Sequence, residues 1–203
     1  MIYVMRHGES VVNLERRLTC RKLDGDLSPL GQQQARQAAA WLHDKGIRTI
    51  LTSPFHRAEQ TAHIVGKVLG VAPTIDANLA EMNCGDLEGR TDEDAWDMWT
   101  EVFERWKTCD WECRFPGGET FRQAHDRLVD VLLRATELLE KTGGSVLLVT
   151  HGGITRAVLP YLCVNAAALQ RISHLHNTGI AVFEPYDPGR YACMAWDIVE
   201  HLT

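Results

Sequence analysis

The most informative segment is Ser145-Val146-Leu147-Leu148-Val149-Thr150, which follows Gly143-Gly144 and leads into His151-Gly152-Gly153. A short, almost wholly apolar run between turn signals is typical of a strand that is covered on both faces of a parallel sheet. The glycine pair before it separates this strand from the preceding helical pattern. The segment therefore predicts an α/β fold in which His151 lies at the carboxyl end of a buried strand.

The rest of the chain alternates between strand-like and helix-like segments. Strands are predicted over 1–5, 47–52, 180–184 and 192–199, with a turn over 186–189 between the last two. Helices are predicted from 28 to a stop at Gly46, and over 54–69, 91–106, 120–141 and 152–163. This order favours a largely parallel sheet with helices on both faces. We expect one domain over 1–203, a three-layer α/β/α sandwich.

The composition is that of a globular protein. The 203 residues suffice for one domain with a substantial core, and 45% are hydrophobic and 24% charged. The apolar start over 1–5 ends at Arg6, without the features of a signal peptide, and no apolar run approaches the ~20 residues that cross a bilayer. We therefore expect a cytoplasmic protein whose six cysteines are reduced.

The charge is acidic and unevenly distributed. The net charge is −6, and the stretch from Glu81 to Glu119 has twelve acidic and four basic residues. An acidic protein is repelled by nucleic acid and by anionic membranes, so neither is an expected partner. Any pocket for an anion must consist of particular arginines and histidines.

Such residues follow three of the predicted strands. Arg6 and His7 follow the first, Ser53 and Arg57 follow the second, and His151 follows the strand over 145–150. Ligands bind beyond the carboxyl ends of strands in open α/β sheets. Arginines grip phosphate oxygens through planar forks of donors, and histidines can supply a nucleophile and a further donor. The sequence predicts a phosphate site that needs no metal and no cofactor.

Four motifs resemble those of the histidine phosphatase superfamily, also called the phosphoglycerate mutase-like family. They are Arg6-His7-Gly8-Glu9-Ser10 with Asn13, the segment 53–62, the segment 79–89 around Glu81, and Thr150-His151-Gly152-Gly153. They occur in the family's order, and the similarity extends from residue 2 to about 184. The segment 24–31 also matches, except that Asp26 replaces a usual proline.

The resemblance implies a role for each matching residue. His7 would attack phosphorus and form a phosphohistidine, and Glu81 would act as general acid and then as general base. Glu88, in the same segment, is a weaker rival for the acid. The groups expected to bind the phosphoryl oxygens are Arg6, Asn13, Arg57, His151 and Gly152. Independently of the resemblance, a nucleophilic imidazole must be neutral, and neighbouring arginines favour that state.

The expected activity is hydrolysis of a small phosphorylated metabolite. A phosphoglycerate mutase is the alternative, but mutases of this family have a longer insertion after the acid and adjacent paired arginines. The segment 91–118 contains only Arg105 and Arg114, well separated. A phospho-ligand binding module without catalysis is a third reading, which the presence of His7 and Glu81 disfavours.

An acidic, aromatic-rich segment over about 90–118 corresponds to the family's variable cap. Trp96, Trp99, Phe103 and Trp106 recur at helical spacing. They form either an amphipathic helix packed on the body or an aromatic wall over the substrate, which would suit a base-like leaving group. Chain length and this cap agree with the α-ribazole phosphatase branch. Phosphoserine and sugar phosphates are alternative substrates. The sequence also leaves open whether the protein forms a homodimer.

Overall fold

A six-stranded sheet forms the centre of the computed structural model, which describes residues 1–15, 17–165 and 174–203. The strand order is β3-β2-β4-β1-β5-β6. The first four strands in that order are parallel, and β5 and β6 are antiparallel to their neighbours. The strands are β1 (Ile2–Arg6), β2 (Ile47–Thr52), β3 (Pro73–Ile75), β4 (Ser145–Thr150), β5 (Ile180–Asp187) and β6 (Arg190–Ile198).

The helices begin and end where local signals place them. They are α1 (Val11–Leu14), α2 (Pro29–Leu42), α3 (His56–Leu69), α4 (Glu93–Lys107), α5 (Phe121–Thr142) and α6 (Gly152–Val158). Ser28 caps α2, Thr120 caps α5, and Gly70 and Gly143 end α3 and α5 in the left-handed conformation. Within the described ranges, no helix is long and apolar enough to cross a membrane.

Two apolar clusters lie on opposite faces of the sheet. Val146 and Leu148 of β4 pack with residues of α4, α5 and α6. Leu147 and Val149 of the same strand pack with residues of α2 and α3. Successive side chains of a strand point to opposite faces, so a strand with no polar interior position must be covered on both sides. The predicted three-layer α/β/α arrangement is confirmed.

Some boundaries differ from the sequence predictions. β3 was not predicted because it is a three-residue edge strand that begins with a proline. The predicted helix over 152–163 ends at Val158 and continues as a 3₁₀ turn over Leu159–Leu162. Pro160 lacks the N–H that another α-helical turn would require. β5 and β6 are longer than expected, and only Pro188 and Gly189 separate them.

Truncation of a side chain in the central strand should destabilise the fold. Leu148 is fully buried, so Leu148→Ala should lower the free energy of unfolding by about 2–5 kcal/mol. Leu133→Ala is the control, because Leu133 on α5 is 38% exposed and its truncation should cost far less. Urea unfolding monitored by circular dichroism measures both. Equal losses for the two variants would contradict the assignment of β4 to the core.

Candidate active site

The register of the parallel strands brings the predicted residues together. In the pairing of β1 with β4, Arg6 lies opposite Thr150, so His7 and His151 follow side by side. Their ring centroids are 5.2 Å apart. β2 pairs with the other edge of β4, and α3 starts four residues after β2 ends, which places Arg57 in its first turn. The predicted convergence of three strand ends is confirmed.

His7 is buried and has one ring nitrogen available as a nucleophile. Its Nδ1 lies 2.7 Å from the carbonyl oxygen of Gly8, and a carbonyl only accepts, so Nδ1 carries the proton. Nε2 therefore has the lone pair, and it accepts from Arg57 Nε at 3.3 Å. Burial, together with the charges of Arg57 and Arg6, holds the pKa of His7 well below its ordinary value. The ring is thus neutral at physiological pH.

The backbone around His7 is held by three separate elements. His7 N donates to Thr150 O at 2.9 Å, and Gly8 N donates to Thr61 Oγ1 at 3.0 Å. The Asn177 side chain donates to His7 O at 3.1 Å. Sequence reasoning noted the segment 177–179 without a role for it. In the structure, Asn177 of this segment fixes the backbone of His7.

Arg57 is held by an aspartate that sequence reasoning did not select. Arg57 is 1% exposed, and its Nη1 donates to Asp24 Oδ1 at 2.9 Å. Asp24 also accepts from the backbone N–H of His56, at the start of α3. One carboxylate therefore orients the arginine and caps its helix. The similarity of the segment 24–31 to the family was the available signal.

Arg6 contributes a buried donor to the cavity. Arg6 Nη1 donates to Leu175 O at 2.8 Å, whereas Arg6 Nε has no partner among the described residues. Burial lowers the pKa of Arg6 to about 10, so it stays charged at neutral pH. The guanidinium can thus bind an anion in the cavity as a fixed donor.

His151 is hydrogen-bonded to Ser53 through one ring nitrogen. Ser53 Oγ accepts from Phe55 N at 3.3 Å and lies 2.7 Å from His151 Nε2, and with the hydroxyl as donor the ring proton lies on Nδ1. Nδ1 is buried and has no partner within the described ranges. Burial, followed by the charge of Arg57, holds the pKa of His151 well below its ordinary value.

The Glu81 side chain lies against the N-terminal end of α6 and accepts three hydrogen bonds from backbone N–H groups. Oε1 accepts from Met82 N at 2.8 Å and Ile154 N at 2.6 Å, and Oε2 accepts from Gly153 N at 2.9 Å. All three partners are donors, which matches an ionised, acceptor-only carboxylate. A Cβ at Gly153 would lie 2.8 Å from both oxygens, so a glycine is needed there. One at Gly152 would lie 3.1 Å from Arg6 Nε.

Glu88, the rival candidate for the acid, has a different task. Its carboxylate accepts from the backbone N–H groups of Cys20, Arg21 and Leu23, at 2.7 to 3.0 Å. Glu88 does not line the cavity that contains His7, whereas Glu81 does. Of the two carboxylates, only Glu81 is placed for chemistry at His7.

The cavity at the strand ends has a volume of about 220 Å³. Asn13 lies in its wall, and Asn13 Oδ1 accepts from both the N–H and the hydroxyl of Ser10, which leaves Nδ2 as a donor. Arg17 and Arg156 also line it, and sequence reasoning missed both. The remaining wall residues include Arg6, His7, Leu18, Thr19, Arg57, Glu81, Met82, Gly152 and Gly153.

Comparison with known proteins identifies the family of this chain. The model of the histidine phosphatase superfamily, branch 1, matches residues 2–198. This chain belongs to that superfamily. "Probable phosphoglycerate mutase GpmB" of Salmonella paratyphi B is 31% identical over 99% of this chain and 94% of its own length.

The solved structures that resemble this chain include phosphatases. The native mycobacterial glucosyl-3-phosphoglycerate phosphatase superposes with a TM-score of 0.80 and is 25% identical, over 98% of each chain. A provisional α-ribazole-5′-phosphate phosphatase of Escherichia coli has a TM-score of 0.76 and 22% identity, over 97% of this chain and 95% of its own. The second likeness is one of fold alone.

The aromatic residues of α4 form both of the expected arrangements, a helix face packed on the body and a wall of the cavity. Trp106 is fully buried and Phe103 is 6% exposed, so these two belong to the core. Trp96 and Trp99 line the cavity, and Trp99 stacks on Phe103 with ring centroids 4.7 Å apart. Arg156 lies against the same stack, 5.3 Å from the Phe103 ring. One turn of α4 is therefore core, and the preceding turn is pocket wall.

The expectation of six reduced cysteines is wrong for one pair. Cys20 and Cys84 form a disulfide between residues 64 apart in the chain, with Cα atoms 6.0 Å apart. That proximity arises from the fold and is invisible in the sequence. Together with Glu88, Cys20 and Cys84 form the one group of three possible metal-ligand residues in the described ranges. The sulfurs of Cys20 and Cys84 are bonded to each other and so are not available to a metal.

Low pH should destabilise the fold through the buried histidines. In the unfolded chain, His7 and His151 regain a pKa of about 6.5, above their folded values. Below that pH the unfolded state binds more protons, so the free energy of unfolding falls as pH falls. His7→Gln should reduce this slope by up to about 1.4 kcal/mol per pH unit. Urea unfolding between pH 7.5 and 5 measures it.

The exposed His63 provides the matched control, because His63→Gln should leave that slope unchanged. An identical slope for wild type and His7→Gln would show that His7 titrates normally in the folded protein.

Thiol counting tests the disulfide. The denatured protein should show four reactive thiols without reductant and six after reduction, because Cys20 and Cys84 are paired. Cys109→Ser should lower both counts by one, since Cys109 is a free, exposed thiol. Six thiols in unreduced protein would refute the pairing.

Proposed function

We propose that this protein is a phosphomonoesterase that transfers a phosphoryl group first to His7 Nε2 and then to water. The observation that carries the proposal is the state of His7, which is buried and neutral, with its lone pair on Nε2 beside Arg57. Two buried nitrogens that have no hydrogen-bond partner among the described residues, Arg6 Nε and His151 Nδ1, belong to the same cluster.

In the first step, Nε2 attacks phosphorus and the bond to the ester oxygen breaks. The electron pair of that bond leaves with the oxygen, which takes a proton from Glu81. Arg6, Arg57 and His151 donate to the equatorial oxygens, where negative charge is concentrated in the transition state. The Nδ1–H of His7 donates to Gly8 O, which stabilises the positive ring of the phosphohistidine.

In the second step, water attacks phosphorus and the P–N bond breaks. Its electron pair returns to His7 Nε2, and the water proton goes to Glu81, which is then ready for another cycle. Glu81 accepts three backbone N–H groups when ionised. A protonated Glu81 keeps acceptor lone pairs on both oxygens, so it can donate its O–H to the ester oxygen while these N–H groups stay bound.

The substrate is a small phosphorylated metabolite, for which residues 90–118 serve as the cap. The cavity adjoins a second one of about 840 Å³ that shares Arg6, Asn13, Arg17 and Trp96, so a leaving group has room beyond the phosphate. Trp96 and Trp99 present aromatic faces on which a base or a sugar ring would pack. This wall supports both an α-ribazole-type ester and a sugar phosphate.

Phosphoglycerate mutase activity is the second candidate. Arg105 is bound to Asp110 and Arg114 is exposed, so neither cap arginine serves the cavity. Arg17 and Arg156 line it instead, and cations there would suit the carboxylate of a phosphoglycerate. The intact geometry of His7 and Glu81 disfavours a module that only binds phospho-ligands.

Phosphoenzyme formation tests the proposal. With a panel of phosphorylated metabolites and p-nitrophenyl phosphate, wild type should release phosphate and form an acid-labile phosphoenzyme. His7→Ala should lower kcat by on the order of a thousandfold or more and form none. His63→Ala, an exposed histidine on α3, should behave as wild type.

Two outcomes would redirect the assignment. Interconversion of 2- and 3-phosphoglycerate without release of phosphate would establish the mutase. Full activity in His7→Ala would refute the phosphohistidine.

A further inference from the structure

Arg127 on α5 uses its hydrogen-bond donors on the segment that holds Glu81 and on the carboxylate of Glu119. Its Nη1 donates to Asn78 O and Ala80 O, both at 2.7 Å, and Nη2 donates to Glu81 O at 3.2 Å. Nε and Nη2 donate to the two oxygens of Glu119, at 3.1 and 2.8 Å. A guanidinium has five N–H groups, and all five are used. Arg127 does not line the catalytic cavity.

The backbone that leads to Glu81 has its shape set by side chains. After the 3₁₀ turn Ala77–Leu79, residues 80–84 belong to no helix or strand. Arg127 binds three of the four carbonyl oxygens over 78–81, and Thr150 Oγ1 donates to the fourth, Leu79 O, at 2.7 Å. Thr150 immediately precedes His151. The segment is thereby tied to α5 on one side and to the end of β4 on the other.

Glu119 completes the arrangement from the opposite direction. It is 8% exposed, accepts from Asn83 N at 2.7 Å, and its own N–H donates to Asn83 O at 3.0 Å. Arg21 adds a bond from Nε to Glu81 O at 3.1 Å and an ion pair with Glu119 at 3.5 Å. Both ends of the acid-bearing segment are therefore fixed by one largely buried ion-pair network. Its members are Arg21, Glu119 and Arg127.

We propose that Arg127, supported by Glu119 and Arg21, is a positioning residue that holds Glu81 where it exchanges a proton with the substrate oxygen. This inference rests on the proposed function, because it assigns the network to the acid–base step of that reaction. Proton transfer requires the acid within hydrogen-bond reach of the leaving oxygen, so a small shift of the segment impairs this step selectively.

The leaving group separates this role from a merely structural one. p-Nitrophenolate leaves without protonation, whereas an alkoxide needs a proton from the acid. Arg127→Lys keeps the charge but has three donors and no planar fork, so it cannot hold three carbonyls and a carboxylate together. We expect it to lower kcat/KM for an alkyl phosphate by about 100-fold, and for p-nitrophenyl phosphate by less than about 10-fold.

A double-mutant cycle shows whether Arg127 acts through Glu81. In a Glu81→Gln background there is no proton to position, so adding Arg127→Lys should change kcat/KM for the alkyl phosphate by less than about twofold. Arg134→Lys is the matched control. Arg134 is also on α5 and is also paired with carboxylates, Asp76 and Asp130, but makes no bond to the carbonyls over 78–81. It should leave both substrates unaffected.

Equal loss on both substrates, or the same loss with and without Glu81, would overturn the positioning role. If Arg127→Lys does not fold, Arg21→Lys tests the same prediction, since Arg21 is half-buried and donates to Glu81 O. Arg21→Lys should lower kcat/KM by a smaller factor than Arg127→Lys, and again by more for the alkyl phosphate than for p-nitrophenyl phosphate. A wild type that forms no phosphoenzyme would contradict the proposed function itself. Failure of the positioning role alone leaves the wild-type phosphoenzyme intact.

Discussion

The parallel pairing of β1 with β4, in the register that sets Arg6 opposite Thr150, is the constraint on which the site depends. Both strands lie in the middle of the sheet, and each is followed directly by a histidine. A shift by one residue would turn every side chain of β1 to the other face and exchange the two apolar clusters. Core packing therefore fixes the distance between His7 and His151, which neither residue could determine by itself.

The guanidinium groups of Arg6 and Arg57 are buried beside few carboxylates, so the site has a net positive charge. Arg6 is held by a backbone carbonyl and Arg57 by the single carboxylate of Asp24, while both histidines are kept neutral by burial. Carbonyl oxygens orient a guanidinium without neutralising it. The pocket thus suits a phosphate anion although the whole chain carries −6 and its cap segment is acidic. The buried donors act on a bound anion at short range, whereas solvent screens the negative charges that lie farther away.

Glu81, the proposed acid, is held in a different way from His7, the proposed nucleophile. His7 follows a strand and inherits the rigidity of the sheet, whereas Glu81 lies in a segment with no backbone ladder. Its position depends on side chains from α5, on Thr150 and on the N–H groups of α6. The disulfide from Cys84 to Cys20 and the bonds of Glu88 to the loop 20–23 join the same segment to the pocket wall. Hydrogen bonds from residues distant in the chain, together with one disulfide, take the place of secondary structure there.

Local features of the chain predicted five of the six strands, the capped helices and the three-layer order, and they selected His7, Arg57, Glu81 and His151, which the structure brings together at the strand ends. Apolar runs, capping residues and motifs act over a few neighbouring residues, so they are legible in one dimension. The contacts of Asp24 and Arg127, the place of Arg156 in the pocket wall, and the disulfide of Cys20 emerged only in three dimensions. Each depends on which distant side chain meets a given atom, and that is set by packing of the whole sheet and its helices.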